Sequence, residues 1–137
     1  MMTLTRAADF SATHAEPLLP SWHPCARMHG HQWTAALEVS SQEDLTADEA
    51  VRIHTAFAEF DAWVAERLNR RHLNAVDPAL QEHSGPDTLA RWIYQTWQDR
   101  LPHLASVRVS GPLKEDTGGP ARYERYEVAY PQPPTAA

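Results

Sequence analysis

The chain has one cysteine, five glycines and no long apolar run among its 137 residues. A single cysteine cannot form an internal disulfide, so the sequence gives no sign of an oxidising compartment. No stretch approaches the roughly 18 apolar residues that a membrane-spanning helix needs. The segment 1–10 also lacks the apolar core of a signal peptide. We therefore expect a cytoplasmic protein that makes no use of a membrane.

The chain also has no excess of basic residues, with 12 lysines and arginines against 18 aspartates and glutamates. The formal net charge is −6, which argues against binding nucleic acid through a broad basic face and favours a small-molecule substrate. The shares of hydrophobic residues (42%) and charged residues (22%) are those of a globular rather than a disordered chain. The length suits one domain over residues 1–137, in which the Pro/Ala-rich end, 131–137, is expected to be a flexible tail.

Two strands are predicted in the first third of the chain, at 3–13 and 31–39. Alternation in the second strand puts Trp33 and Leu37 on one face, together with the residues at 35 and 39. The intervening segment 17–28 carries three prolines. Because proline lacks a backbone N–H group and interrupts strand pairing, this segment must leave the sheet.

Two helices are predicted next. Thr46 and Glu49 have the spacing of a capping box, and Ser84 followed by Pro86 suits the start of a second helix, with Ser84 as its cap. Apolar residues then recur at helical spacing in both segments. The two stripes are Ile53, Phe57, Phe60, Val64 and Leu68 in the first helix, and Leu89, Ile93, Trp97 and Leu101 in the second.

Two more strands, at 106–109 and 122–128, complete the chain, and the breaker at 117–120 separates them. The order ββααββ predicts an α+β fold in which an antiparallel four-stranded sheet carries two helices on one face. Such a sheet leaves its other face uncovered. We therefore expect the chain to form a homo-oligomer that buries this face.

Three histidines form a candidate metal site. His29 and His31 are two residues apart in a predicted strand, so both imidazoles point to the same face. His14 ends the preceding strand, and antiparallel pairing would bring it to the same place. Three imidazoles leave one tetrahedral position open, which is typical of a catalytic zinc ion rather than a structural one.

The neighbourhood of these histidines resembles a known family. Phe10 to His14 reads F-x-A-x-H, and Cys25 to His31 reads C-x-x-x-H-G-H. This pattern is similar to that of the 6-pyruvoyl-tetrahydropterin synthase family, which includes the 6-carboxy-tetrahydropterin synthases. The resemblance extends over residues 8–128. It implies the ββααββ architecture called the T-fold, Zn²⁺ as the cofactor with His14, His29 and His31 as ligands, and a trimer or hexamer.

The resemblance also implies roles at the site. Cys25 matches the family's catalytic cysteine, which moves a proton while the zinc ion binds oxygens of the substrate side chain. A thiol beside a divalent ion is more readily ionised, and this suits it to proton transfer. The alternative interpretation of Cys25 is a buried apolar filler.

The sequence departs from the family at its proton relay. Where the family has an Asp-His pair, this chain has Asn69 and Arg70, and neither is a base near neutral pH. His72 is a candidate replacement, with a surface histidine as the alternative interpretation. Arg70 could instead bind a carboxylate through two hydrogen bonds, and Asn69 and Arg27 are further candidates for substrate contact.

A second departure concerns the substrate. The family holds the pterin ring with a glutamate on its third strand, and the matching stretch here ends in Gly111 and Pro112. Glu115 and Asp116 follow, in what we expect to be a loop. A site without a carboxylate on this strand lacks the partner that the guanidine-like edge of a pterin would require.

Three hypotheses follow. The first is a zinc-dependent lyase or cyclase repurposed for a non-pterin, carbonyl-bearing small molecule in specialised biosynthesis, for example a Pictet–Spengler-type ring closure. The second is a 6-carboxy-tetrahydropterin synthase-like activity on dihydroneopterin triphosphate. The third is a zinc-stabilised binding protein without catalysis.

Overall fold

The computed structural model describes residues 1–115 and 122–132. A five-stranded sheet in the order β3-β1-β2-β4-β5 forms one layer, and two helices form the other. In chain order the elements are β1 (Met2–His14), β2 (His29–Ser41), α1 (Ala47–Arg67), β3 (Arg71–His72), α2 (Pro86–Trp97), β4 (Leu104–Glu115) and β5 (Arg122–Tyr130).

The predicted α+β order is confirmed, with one strand more than the four expected. The additional strand, β3, has two residues and pairs in parallel with β1 at Ala12 and Thr13. A pairing this short leaves no alternation in the sequence. It forms because the chain leaving α1 returns to the edge of β1, where the Arg70 N–H group donates to the Ser11 carbonyl at 2.6 Å.

The long strands run beyond their predicted ends. Glu115 closes β4, so its expected place in a loop was wrong. Pro112 is tolerated inside β4 because pairing with β2 extends only to Ser110, and beyond it β4 is bonded to β5 alone. Asp116, the breaker at 117–120 and residues 133–137 of the expected tail lie outside the described residues.

The start of α1 is as predicted. The Thr46 hydroxyl accepts the Glu49 N–H at 3.1 Å, and the Glu49 carboxylate accepts the Thr46 N–H at 3.1 Å. This reciprocal capping box satisfies two of the amide groups that a helix start leaves unpaired. The apolar stripe of α1 then packs on the sheet, with Ile53, Phe60 and Leu68 fully buried.

The start of α2 differs from the prediction in its capping residue. Gly85 is the N-cap and makes no side-chain cap hydrogen bond, while Pro86 is the first helical residue as expected. Ser84 is fully buried, and its hydroxyl bonds to other elements instead. Leu101 is buried as predicted but lies beyond the end of α2 at Trp97.

The two faces of the sheet differ in polarity. The face under the helices carries the core, including Phe10, Trp33 and Leu37. On the opposite face, polar side chains bond across the strands, as between Ser11 and Gln32 (2.7 Å) and between Thr34 and Asp9 (2.6 Å). In the described parts of the chain, neither helix is long and apolar enough to cross a bilayer.

Replacing Thr46 with alanine should destabilise the fold by about 1 kcal/mol, since α1 then begins without its side-chain cap. The melting temperature should fall by about 3 °C. Thr55→Ala, an exposed substitution inside the same helix, is the matched control and should cost nothing, because alanine is the better helix former. Equal melting temperatures for the two variants would contradict the capping role.

Candidate metal centre

The pairing of β1 with β2 assembles the three histidines. His14 lies directly opposite His29, and Ala12 lies opposite His31. Residues that are paired across antiparallel strands share a face, so all three rings project from the helix-covered side at one end of the sheet. One ligand nitrogen from each lies within 4.8 Å of the others. The predicted trio therefore lies together in the fold.

Burial favours the uncharged form of His14 and His31. His14 is only 5% exposed, and the Trp33 ring packs edge-on against His14 at 5.0 Å and His31 at 5.5 Å. Loss of water around the ring, with the neighbouring His29 and His31, lowers the pKa of His14 to about 4. Burial also lowers the pKa of His31. Neutral imidazole is the form that binds a metal ion.

A backbone contact orients His29. Its Nδ1 lies 2.7 Å from the carbonyl oxygen of Arg27, and only a protonated Nδ1 can donate to that oxygen. The tautomer is thereby fixed, and Nε2 remains as the ligand atom. The loop before β2 therefore orients the His29 ring as a metal ligand.

A buried serine orients His14. The Ser84 hydroxyl lies 3.2 Å from Nδ1 of His14. It also donates to an acceptor on its other side, either Oδ1 of Asn74 at 3.1 Å or the Ala15 carbonyl at 3.2 Å. Since the one hydroxyl proton is used there, the hydroxyl oxygen accepts from Nδ1–H of His14, which leaves Nε2 of His14 as the ligand atom.

Sequence reasoning missed this pair of supporting residues. Ser84 was interpreted as a helix cap, and only the fold brings it beside a histidine 70 positions earlier. Asn74 does lie within residues 8–128, over which the sequence resembles the family. Its side chain bonds the backbone of Ala15 on both sides, accepting from N–H and donating to the carbonyl at 2.9 Å each.

The donor set fits zinc. Three neutral nitrogen donors, two of them oriented by hydrogen bonds at their second ring nitrogen, form the ligand set of a catalytic zinc site with one open position. Magnesium and calcium prefer oxygen ligands, which this group lacks. His14, His29 and His31 would hold the ion.

A cavity of about 620 Å³ opens on the sheet face opposite the helices, where the side chains of Ser11 and Gln32 project. It contains the predicted residues Arg70 and His72, and Nδ1 of His72 lies 3.1 Å from the Thr13 hydroxyl. His31 is the one member of the three-histidine group among the lining residues, and its ring projects to the other side of the sheet, with His29 and Trp33. The lining consists of Ser11, Ala12, Thr13, Gly30, His31, Gln32, Arg70, Arg71 and His72.

Cys25 lies on the loop between β1 and β2. It is partly exposed within a short 3-10 turn, Pro24–Ala26, and its N–H group donates to Nδ1 of His23 at 3.1 Å. The Glu16 N–H group donates to the Cys25 carbonyl at 2.9 Å, which ties this turn to the chain just after β1. Cys25 is neither in the three-histidine group nor in the cavity lining, so its catalytic role stays a prediction.

The other predicted contact residues have different surroundings. The amide oxygen of Asn69 accepts the Ser11 N–H at 3.0 Å and so anchors the end of α1 to β1. Arg27 is exposed and its side chain does not line the cavity; its carbonyl instead bonds to His29. Substrate contact by Asn69 and Arg27 also stays a prediction.

Comparison with known proteins identifies the class to which this fold and site belong. The chain belongs to the 6-pyruvoyl tetrahydropterin synthase family, which matches residues 3–125. This is a family of lyase-type enzymes that act on small molecules as oligomers. The resemblance and the T-fold expected from the sequence are thereby confirmed.

Two solved structures are similar to this chain. The 6-pyruvoyl tetrahydropterin synthase of Caenorhabditis elegans is 14% identical, with a TM-score of 0.57 over 93% of this chain and 94% of that one. An uncharacterized protein from Wolinella succinogenes is 15% identical, with a TM-score of 0.60 over 94% of this chain and 98% of that one. At sequence identities this low, the structural similarity shows a common fold and nothing more.

Removing one histidine should remove the metal. We expect the purified protein to carry one zinc ion per chain by elemental analysis, and His29→Ala to lose most of it, because two imidazoles hold zinc far less tightly than three. His54→Ala, an exposed histidine on α1, is the control and should retain zinc. Unchanged zinc in His29→Ala, or none in the unmodified chain, would overturn the site.

Removing the Ser84 hydroxyl should weaken zinc binding without removing a ligand. Ser84→Ala leaves Nδ1 of His14 without its partner, and loss of such a contact lowers zinc affinity by about 10- to 100-fold. Competition with a chromophoric chelator measures this. Ser106→Ala is the matched control, since Ser106 is also buried and its hydroxyl makes no hydrogen bond to the described residues. Equal zinc affinities in both variants would exclude the orienting role.

Proposed function

We propose that this protein is a zinc-dependent lyase or cyclase that acts on a non-pterin, carbonyl-bearing small molecule, with a role in specialised biosynthesis. The observation that carries the proposal is the three-histidine group, in which His14 and His29 are oriented by hydrogen bonds at their second ring nitrogen. A Pictet–Spengler-type ring closure is one reaction of this class. Such a closure depends less on the family's complete proton relay.

The chain's own residues limit the proton chemistry. Asn69 occupies the relay position of an acid and uses its amide oxygen to accept a backbone N–H group. Arg70 stays protonated near neutral pH and cannot accept a proton. Proton transfer is therefore assigned to Cys25, whose turn precedes the ligand strand β2, with His72 as the second candidate. His72 is held by the Thr13 hydroxyl at the cavity wall.

When bound, zinc supplies Lewis-acid polarisation of a substrate oxygen and so acidifies the carbon next to it. The protein contributes the surroundings of that oxygen. Trp33 packs edge-on against His14 and His31 and shields them from one side.

Two alternatives remain from the sequence, each with an observation in its favour. Family membership favours activity on dihydroneopterin triphosphate, which requires pterin binding. The loss of the relay at Asn69 and Arg70 favours a zinc-stabilised binding protein. Fluorescence titration with neopterin separates the first from our proposal, because no quenching at millimolar protein would exclude a pterin substrate.

We also propose that the protein acts as a homo-oligomer, as its family does. The sheet face opposite the helices supports this, since neither helix covers it and its side chains at Thr3, Thr5 and Asp9 are exposed. Its polar character indicates a wet interface rather than an apolar one.

Cys25→Ser should slow proton transfer while leaving the metal in place. Hydroxyacetone in D₂O is a neutral carbonyl probe, and NMR follows deuterium exchange at the carbons next to its carbonyl. We expect the zinc-loaded protein to accelerate this exchange and Cys25→Ser to slow it by about 100-fold or more, the usual contribution of a positioned acid or base.

Zinc content is the control for that experiment and should be equal in the two proteins. Equal exchange rates would exclude Cys25 as the acid or base. Absence of any acceleration by the unmodified protein would support the binding-protein alternative instead.

A further inference from the structure

We propose that Glu16 is a positioning residue of the metal centre, whose carboxylate puts a negative charge behind the ring of His14 and so strengthens zinc binding. This assignment rests on the proposed function, because it concerns the zinc ion that the function requires. Glu16 lies two residues beyond His14, the last residue of β1, and no motif in the sequence singles it out. It acts through His14, without touching the ion itself.

The carboxylate of Glu16 lies on the side of the His14 ring that faces away from the metal position. Its Oε1 is 3.9 Å from Nδ1 of His14, whereas Nε2 is the ligand atom. The Ser84 hydroxyl contacts the same Nδ1, at 3.2 Å. Metal-binding histidines usually have a polar or acidic partner at the second ring nitrogen, which makes them better ligands. Glu16 and Ser84 together occupy that place for His14.

Hydrogen bonds hold Glu16 at both its backbone and its side chain. Its N–H group donates to the Cys25 carbonyl at 2.9 Å, and the Asn74 side chain bonds both backbone groups of the preceding Ala15 at 2.9 Å. At the other end, Oε1 accepts the Ser84 N–H at 3.4 Å. The carboxylate therefore keeps one position beside the metal centre.

The start of α2 leaves room for this carboxylate. Gly85, the N-cap, has no side chain there, and a β-carbon on it would lie 3.1 Å from Oε1 of Glu16. A negative charge is also favoured at the positive end of a helix, and α2 begins without a side-chain cap of its own. These contacts explain how the charge is accommodated although the Glu16 side chain is only 19% exposed.

The charge of Glu16 has no permanent counter-charge in the described ranges 1–115 and 122–132. Its ion-pair contacts there are with two histidines, His14 at 3.9 Å and His83 at 3.4 Å, and with no lysine or arginine. A histidine carries no permanent positive charge. A partly buried carboxylate is stabilised by a positive charge nearby, and three neutral imidazoles leave the two charges of a zinc ion uncompensated. The two requirements match when zinc is bound through His14.

The zinc affinity of Glu16→Gln tests the proposal. Glutamine has nearly the same shape and keeps an oxygen for the Ser84 N–H group, so the substitution removes the charge alone. We expect the variant to bind zinc about tenfold less tightly, in competition with a chromophoric chelator, because loss of a partner behind a metal-binding histidine costs about 10- to 100-fold. The metal-free variant should melt within about 2 °C of the metal-free unmodified protein.

A purely structural role would give the opposite pattern. The melting temperature of the metal-free variant would then fall by more than this, while zinc affinity stayed the same. That result would overturn the proposal.

Glu38→Gln is the matched control. The Glu38 side chain is 27% exposed and also lies in an ion pair, with Arg108. It lies on the polar face of β2, seven residues beyond His31 and so about 23 Å along the strand. This variant should bind zinc as the unmodified protein does. Equal zinc affinities in Glu16→Gln and Glu38→Gln would contradict the role of Glu16.

A double variant separates the charge of Glu16 from its contact with Ser84. Ser84→Ala already removes the hydroxyl beside Nδ1 of His14. Adding Glu16→Gln should lower zinc affinity about tenfold further, because the charge acts on the ring directly. No further loss would mean that Glu16 only holds Ser84 in place, which excludes the charge effect.

These measurements distinguish failure of this assignment from failure of the proposed function. If the unmodified chain bound no zinc, both would be wrong. If the unmodified chain and Glu16→Gln bound zinc equally tightly, only the role of Glu16 would be wrong. The exchange experiment on Cys25 measures proton transfer and does not depend on Glu16.

Discussion

The register of β1 against β2 is the constraint on which the site depends. His14 is paired with His29 and Ala12 with His31, so three side chains distant in sequence share one face at one end of the sheet. A shift of one residue would turn the histidines of one strand to the opposite, polar face. Because buried Phe10 and Trp33 are paired in the same register, the core that stabilises the fold also holds the metal site in place.

A second set of polar contacts orients the histidines that the sheet places together. Ser84 comes from the segment before α2, Asn74 from the segment after β3, and the Arg27 carbonyl from the loop before β2. Each makes a contact that fixes a histidine or its partner. Three separate connections of the chain therefore converge on ligands that all lie on two strands. The sheet supplies the ligands, and the loops supply the contacts that orient them.

The departures from the family are concentrated at the end of α1. Asn69 and Arg70 occupy the relay positions, and the structure gives each a definite use: Asn69 anchors β1, and Arg70 contributes positive charge to the cavity. Both changes are compatible with zinc binding at His14, His29 and His31, because neither Asn69 nor Arg70 belongs to that group of ligands. The same fold can thus keep a metal site and present a different substrate surface.

The sequence by itself determined the ββααββ order, the capping box at Thr46 and the three histidines. Each follows from the spacing of nearby residues, because strand and helix geometry converts that spacing into a position on one face. It could not determine β3, the use of Ser84 or the positive φ of Arg70. A two-residue strand leaves no periodicity, and a serine before a proline resembles a helix cap whether or not it caps. Only the tertiary structure decided these features, because each depends on a partner about 60 or 70 residues away along the chain.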